Sequence, residues 1–393
     1  MFRKLYLFFI LLFFCSCSVF KSSDKIQFTG SDNLLKYPDR DSVSMLTKKV
    51  ADWQIKNFTY SEEGNLHDYG IDSWTNSTLY LGMFHLGTST KENSSYIEWI
   101  KNTLSYKNWE LPSNFADFPK YSQYHADELC IAQTYLYLYE LYKDQDMLNG
   151  AKQRIDWIIN NPPDISMNHS NKQTLSWCDA IFMAPPVYAQ LASITGDTKY
   201  LENMNQQVIR SYNHLFDKEE KLFFRDDSYF DKLEANGRKV FWARGNGWVI
   251  AGMANILKQL PQKSEYSPFY EDLLKQLAKR LSELQHRDGF WHASLLDPDS
   301  YPSPEISATA LIAYGIAYGI NAGILPLNEY YPVLIKSWDA LRLSIDEDGK
   351  LGWIQPIGAS PKTVTKDMTA VYGVGAFLLA GTEINQILKN YSK

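Results

Sequence analysis

The strongest constraint on this chain is a repeat. Six times a polar or charged residue stands at the head of an apolar stretch rich in small residues: Asp72, Asp127, Asp179, Arg244, Glu305 and Asp367, 52 to 65 residues apart. That period accommodates two helices with their loops, so the chain reads as six helical hairpins. Apolar periodicity places outer helices near 42–57, 93–105, 146–160, 198–215, 267–286 and 328–344. Inner helices fall near 73–88, 126–143, 178–195, 245–260, 305–322 and 367–388. Outer stretches carry a polar face, with Lys152, Gln153, Arg154 and Asp156 beside Ile155, Trp157 and Ile158. Inner stretches are dense in Ala, Gly, Ser, Tyr and Leu, which suits close packing on a crowded wall. Closed into a ring, the hairpins make an all-α (α/α)6 barrel whose inner-helix N-termini meet on one rim. The alternative is an open α-solenoid, the usual architecture of a protein-binding scaffold. Closure is favoured because the count stops at six and the polar, aromatic residues fall at one end of the inner helices.

A continuous repeat argues for one catalytic domain, 41–393. Before it, Arg3 and Lys4 precede the apolar run 5–14 and then Cys-Ser-Cys-Ser, which is a targeting segment too short to span a bilayer comfortably. We read 1–17 as a lipoprotein-type signal with Cys17 as the lipidated residue, and 18–40 as a polar tether. The expectation is a protein anchored to a membrane of the cell envelope, facing the periplasm or the cell surface, with secretion to the periplasm as the alternative. The remaining cysteines, Cys130 and Cys178, lie in apolar helical runs and read as buried thiols.

Aromatic content is high, with 11 Trp, 26 Tyr and 20 Phe, and flat C–H faces of sugars stack on such rings. Large core fillers would give the same composition. A net charge of −6 supplies no basic field for nucleic acid, so an anionic small ligand needs local arginines. The histidines (67, 85, 125, 169, 214, 286 and 292) show no metal-ligand spacing, and no phosphate loop, nucleophile elbow or dinucleotide fingerprint is present. We therefore expect no metal and no cofactor.

Three runs can carry chemistry. In Trp177-Cys-Asp179, an acid opens an inner helix, where it is either a cap or, beside an aromatic wall that raises its pKa, a proton donor. In His125-Ala-Asp127, a second acid opens the preceding inner helix, and in a closed ring the two carboxylates can approach, the basic equipment of glycoside chemistry. In Trp242-Ala-Arg244-Gly-Asn-Gly-Trp248, Arg244 offers a fork for a carboxylate and Trp248 lies one turn on. Arg225 is a second anion contact or the partner of Asp226 or Asp227. Long loops leading into the inner helices carry Trp291, Trp353, Phe224 and Trp242 toward the rim. Asn236-Gly237 marks a hairpin turn within 221–240.

The runs WCDAIFMAPP, HADELCIAQTYL, WARGNGW, GFWHASLLDP, GWIQPIG and KDMTAVYGVGAFLLAGTEI resemble the unsaturated glycuronyl hydrolases of glycoside hydrolase families 105 and 88, over essentially the whole chain from about residue 42. The resemblance implies the (α/α)6 barrel and removal of a 4,5-unsaturated uronic acid from the non-reducing end of oligosaccharides made by polysaccharide lyases. It implies Asp179 as general acid and then base, Asp127 as its partner, Trp177 stacked on the sugar, and Arg244 and Trp248 lining the pocket. His125, His169, Trp242 and Trp291 join them as expected substrate contacts. Where some members have a pocket histidine, this chain has Phe224-Arg225; of the two expected substrates, unsaturated glucuronyl-rhamnose of sulfated, ulvan type and unsaturated galacturonyl-rhamnose of pectin type, an extra arginine slightly favours the former. A glycan-binding protein without chemistry, or an (α/α)6 sugar epimerase, are the competing readings.

Overall fold

The computed structural model describes residues 38–58, 70–112, 123–261 and 264–391. Cys15, Cys17 and His67, with nearly all of the expected leader and tether, lie outside the described residues. The outer helices are α1 (Arg40–Lys56), α3 (Ser95–Leu104), α5 (Asp146–Asn160), α8 (Lys199–Leu215), α10 (Ser267–Glu283) and α12 (Leu327–Arg342). The inner helices are α2 (Trp74–Ser89), α4 (Ala126–Tyr142), α6 with α7 (Ala180–Met183 and Pro185–Thr195), α9 (Ala243–Gln259), α11 (Ile306–Asn321) and α13 (Val371–Tyr391). A two-residue antiparallel pair, β1 (Phe216–Asp217) and β2 (Leu222–Phe223), follows α8.

The outer helices are one-sided. In α8 the buried residues Tyr200, Leu201, Met204, Val208, Ser211 and Leu215 keep helical spacing, and the opposite face meets solvent. Every residue of α11 is buried except Asn321, as expected of a helix enclosed by neighbours on all sides. Each inner helix packs on the next in chain order, α2 on α4, α4 on α6 and α7, these on α9, α9 on α11 and α11 on α13, and α13 returns to α2. That last contact closes the ring and excludes the open solenoid. The seam is glycine against backbone: a Cβ on Gly375 would stand 2.1 Å from the Thr78 carbonyl oxygen, and one on Gly82 would stand 2.4 Å from that of Gly375. The architecture is the (α/α)6 barrel.

Two helix boundaries differ from the sequence reading. The third inner helix, expected unbroken over 178–195, is interrupted at Ala184, because Pro185 and Pro186 lack the amide protons that would continue it. The last inner helix begins at Val371 rather than at 367, so Asp367 is exposed in the preceding turn and heads no helix.

The ends of the barrel differ in chemistry. At the C-terminal ends of the inner helices, Lys258 Nζ binds Glu383 Oε1 at 2.6 Å and Asn321 Nδ2 binds Glu383 Oε2 at 2.6 Å. The N-terminal ends carry the site.

Candidate active site

Asp179 is the N-cap residue of α6, buried and with its side-chain oxygens making no cap hydrogen bond. It is thus an acid at a helix start whose carboxyl is not consumed by the helix. Arg225 Nε lies 3.4 Å from Asp179 Oδ2, and that nitrogen makes no hydrogen bond. Burial pushes the Asp179 carboxyl up to about 6; Arg225 and Arg244 oppose the rise, while Asp127 and Asp226 add to it. Asp127 is therefore within electrostatic reach of Asp179, as the ring predicts for adjacent inner helices. Its side chain is the more open of the two, 24% exposed against 11%.

His125 is the N-cap of α4, and its Nδ1 accepts a hydrogen bond from the Asp127 backbone at 3.3 Å. Burial holds this imidazole below its ordinary pKa despite the nearby Asp127, so at neutral pH it is uncharged and Nδ1 can serve as that acceptor. Its ring leans on the Trp177 indole, 5.1 Å between centroids, and Lys172 Nζ stands 4.6 Å from the indole centroid. Trp177 is only 3% exposed, a wall of the site as its place beside Asp179 suggests, with little of its face open for the sugar stacking that the family resemblance implies.

The third element is positioned by Asn246, which brackets β2: its Oδ1 accepts from Phe223 N at 2.8 Å and its Nδ2 donates to Phe223 O at 3.0 Å. The chain that follows β2 then runs beside the Asp179 turn, with Cys178 N donating to Arg225 O at 2.8 Å and Trp177 bridged to Asp226. Gly245 permits this closeness, since a Cβ there would stand 2.9 Å from Cys178 Sγ and 3.7 Å from Asp179 Oδ1. Arg225 Nη1 also binds Asp226 Oδ2 at 2.5 Å. Of the alternatives read for Arg225, the pairing with Asp226 is realised, and the same guanidinium also faces the acid.

Arg244 is placed differently from expectation. Its Nη1 donates to the Gln355 carbonyl at 2.5 Å and to Tyr372 Oη at 3.0 Å, and its Nη2 to the Pro356 carbonyl at 2.9 Å. The guanidinium lies between the Trp242 and Tyr372 rings, 4.5 and 5.1 Å from their centroids. Its fork is occupied by the loop before α13, and only Nε is without a partner. Glu305 holds the same loop, accepting from Gln355 N at 3.0 Å while capping α11 through Ser307 N and Ala308 N. Glu305 and Arg244 together fix the rim at Gln355.

The aromatic expectations divide. Trp248 is buried against Phe182, with centroids 4.7 Å apart, and edge-on to Trp74 at 6.1 Å, while Trp242 Nε1 donates to Gln355 Oε1 at 3.2 Å. Trp291 is not at the rim: it is 1% exposed and its Nε1 donates to the Leu281 carbonyl at 2.7 Å, inside the packing against α10. Phe224 is likewise turned inward onto Phe241 and Phe230, whereas Trp353 remains half-buried. His169 is exposed and binds Asp227 Oδ1 through Nδ1 at 2.5 Å, which ties its loop to the segment after Arg225. The expected hairpin turn is present, with Glu234 N donating to Arg238 O at 2.7 Å and Gly237 at φ 79°.

Lys172 has no role in the sequence reading, for no motif marks it; Asp226 enters that reading only as a partner of Arg225, and Tyr372 only as part of the last quoted run. The reading also missed that His286 and His292 converge, each with a ring nitrogen about 3 Å from Asp288 Oδ2, at 3.0 and 2.9 Å. Cys130 and Cys178 are free and buried, and burial pushes both thiols well up.

A buried acid poised near neutral pH, an open carboxylate beside it and an aromatic wall are the equipment of sugar hydrolysis. The sequence profile of Glycosyl Hydrolase Family 88 matches residues 46–388. The chain belongs to this family. Two similar proteins are called unsaturated 3S-rhamnoglycuronyl hydrolase. The one from Alteromonas sp. (strain LOR) is 36% identical over 361 residues, 86% of this chain and 84% of that protein. The one from Formosa agariphila is 35% identical over 343 residues, 84% of this chain and 89% of that protein. A solved structure described as glycosyl hydrolase family 88 from Bacteroides vulgatus superposes with a TM-score of 0.79 at 29% identity, covering 89% of this chain and 99% of that one. The family 88 chain is thus an enzyme, a glycoside hydrolase, and its barrel is that of its relatives.

Proposed function

We propose that the protein removes a 4,5-unsaturated uronic acid from the non-reducing end of lyase-generated oligosaccharides by hydrating the C4=C5 bond. The substrate we favour is unsaturated glucuronyl-rhamnose with a 3-sulfated, ulvan-type rhamnose, ahead of unsaturated galacturonyl-rhamnose from pectin. The observation that carries the reaction is the buried Asp179 with its pKa near 6 beside the charge of Asp127. The names of the two relatives, at 36% and 35% identity, support the rhamnose aglycone and its sulfation.

In this reading neutral Asp179 gives its proton to C4 of the vinyl ether, and the positive charge develops at C5 and the ring oxygen. Water adds at C5 while the Asp179 carboxylate, assisted by Asp127, takes the water's proton, so the acid is regenerated. The C5 hemiketal opens to a ketone, the freed C1 hemiacetal collapses to an aldehyde, and the aglycone leaves as an alcohol. One water is consumed per bond cleaved. A buried aspartate is suited to the first step because it is still protonated near pH 6, where an exposed one would be ionised. We also propose attachment of the chain to a cell-envelope membrane through Cys17, on the sequence of the leader.

The test is the ultraviolet absorbance of the conjugated C4=C5 bond in unsaturated disaccharides with rhamnose, 3-sulfated rhamnose and hexosamine aglycones. Absorbance should be lost fastest with the sulfated rhamnoside. No loss with any of them would overturn the hydrolase reading.

A further inference from the structure

Lys172 stands on the loop between α5 and α6, half-buried, with its ammonium over the Trp177 indole at 4.6 Å. Among the described residues no carboxylate comes within 4.0 Å of it. The charges that reach it are those of Asp226, Asp127 and Asp179 on one side and of Arg225 on the other, and burial together with Arg225 holds it below the ordinary lysine value. A cation partly stripped of water and left without an ion partner gains when an anion is brought to it.

The loop that presents it is held in place. Asn171 Nδ2 donates to the Ser166 and Asp164 carbonyls at 2.7 and 3.1 Å, and Thr174 Oγ1 and Ser176 Oγ donate to the Ser166 and Asn171 carbonyls at 2.9 and 2.8 Å. His169 fastens the loop to Asp227. Lys172 therefore needs little ordering before it binds.

Two kinds of anion occur on the proposed substrate, the uronate carboxylate and a sulfate ester on the neighbouring sugar. The carboxylate hangs on C5, next to the C4 that Asp179 must protonate, so its receptor has to lie beside Asp179. Arg225, 3.4 Å from that carboxyl, is in this position, whereas Lys172 is within electrostatic reach of Asp179 but makes no ion pair with it within 4.0 Å. We propose that Lys172 receives the sulfate ester of the aglycone and so decides between sulfated and unsulfated substrates. This assignment rests on the hydrolase reading and goes beyond it.

The test compares wild type, Lys172→Ala and Lys172→Arg on the unsaturated glucuronyl disaccharide of rhamnose with and without 3-sulfate. For wild type the ratio of kcat/KM should favour the sulfated disaccharide. In Lys172→Ala this preference should fall by roughly 10- to 100-fold, the size of one charge-assisted hydrogen bond, through KM rather than kcat. Lys172→Arg should restore most of it. An equal loss on both disaccharides would instead place the uronate carboxylate on Lys172 and overturn the proposal, as would an unchanged preference. A wild-type enzyme inactive on both disaccharides marks failure of the hydrolase reading itself, and circular dichroism of the variants separates misfolding from either.

Discussion

Arg225 Nε sits 3.4 Å from Asp179 Oδ2, yet burial outweighs that cation and leaves the carboxyl near pH 6. If Asp179 is the proton donor, the reactive form is the protonated one, and kcat/KM should fall as pH rises through about 6 in the free enzyme. Because Arg225 holds the value down, Arg225→Gln should move this descending limb to higher pH. A pH–rate profile of the two proteins reads both effects, and a limb that stays in place would remove Arg225 from the acid's environment.

Asp179→Asn should abolish turnover, by about 100- to 10,000-fold if general acid catalysis is what is lost. It should also stabilise the protein. A carboxyl near 6 when folded and near 3.9 when unfolded binds more protons in the native state, so native stability falls as pH rises from about 4 to above 6. Asparagine carries no such cost. The gain in stability, read as a rise in Tm, should therefore be greater at pH 8 than at pH 5, and its free energy has an upper limit of about 3 kcal/mol. Thermal denaturation at the two pH values gives the comparison, and a variant less stable than wild type at pH 8 would contradict it.

Arg244→Ala should cost about 2–4 kcal/mol of stability, because it strips the Gln355 and Pro356 carbonyls of a buried donor. Arg244→Lys should recover little, since an ammonium cannot span the two carbonyls as the planar fork does. Proteolysis of the native protein should become faster in the loop before α13. A variant with normal Tm and only a raised KM would return Arg244 to the role of carboxylate receptor.

Gly375→Ala should disrupt ring closure. Its methyl group would meet backbone atoms of Thr78 at 2.1 and 2.4 Å, which cannot move aside as a flexible side chain can. We expect a loss of about 3 kcal/mol or more, or failure to accumulate as soluble protein, whereas Gly196→Ala, with open space around it, should suffer only the strain of its φ of 74°. Denaturant titration of the two variants provides the ranking.

The sequence by itself determined six hairpins, the distinction between one-sided outer and enclosed inner helices, and the location of Asp127 and Asp179 at the starts of adjacent inner helices. These are local properties, written in periodicity, small-residue content and the acids at helix starts. Tertiary structure decided what periodicity cannot encode. Whether six hairpins close depends on Gly82 and Gly375, almost three hundred residues apart, meeting backbone to backbone. Where a long side chain ends depends on partners distant in sequence: Arg244 turned to carbonyls at 355 and 356, and Trp291 to the carbonyl of Leu281. Trp177 has its faces taken by Lys172 and His125, and Asp179 became an acid tuned near neutrality because the closed fold buries it with Arg225 and Arg244 only partly offsetting that burial. Desolvation belongs to no single segment, so the same Trp-Cys-Asp run reads as a helix cap or as a proton donor until the ring is closed.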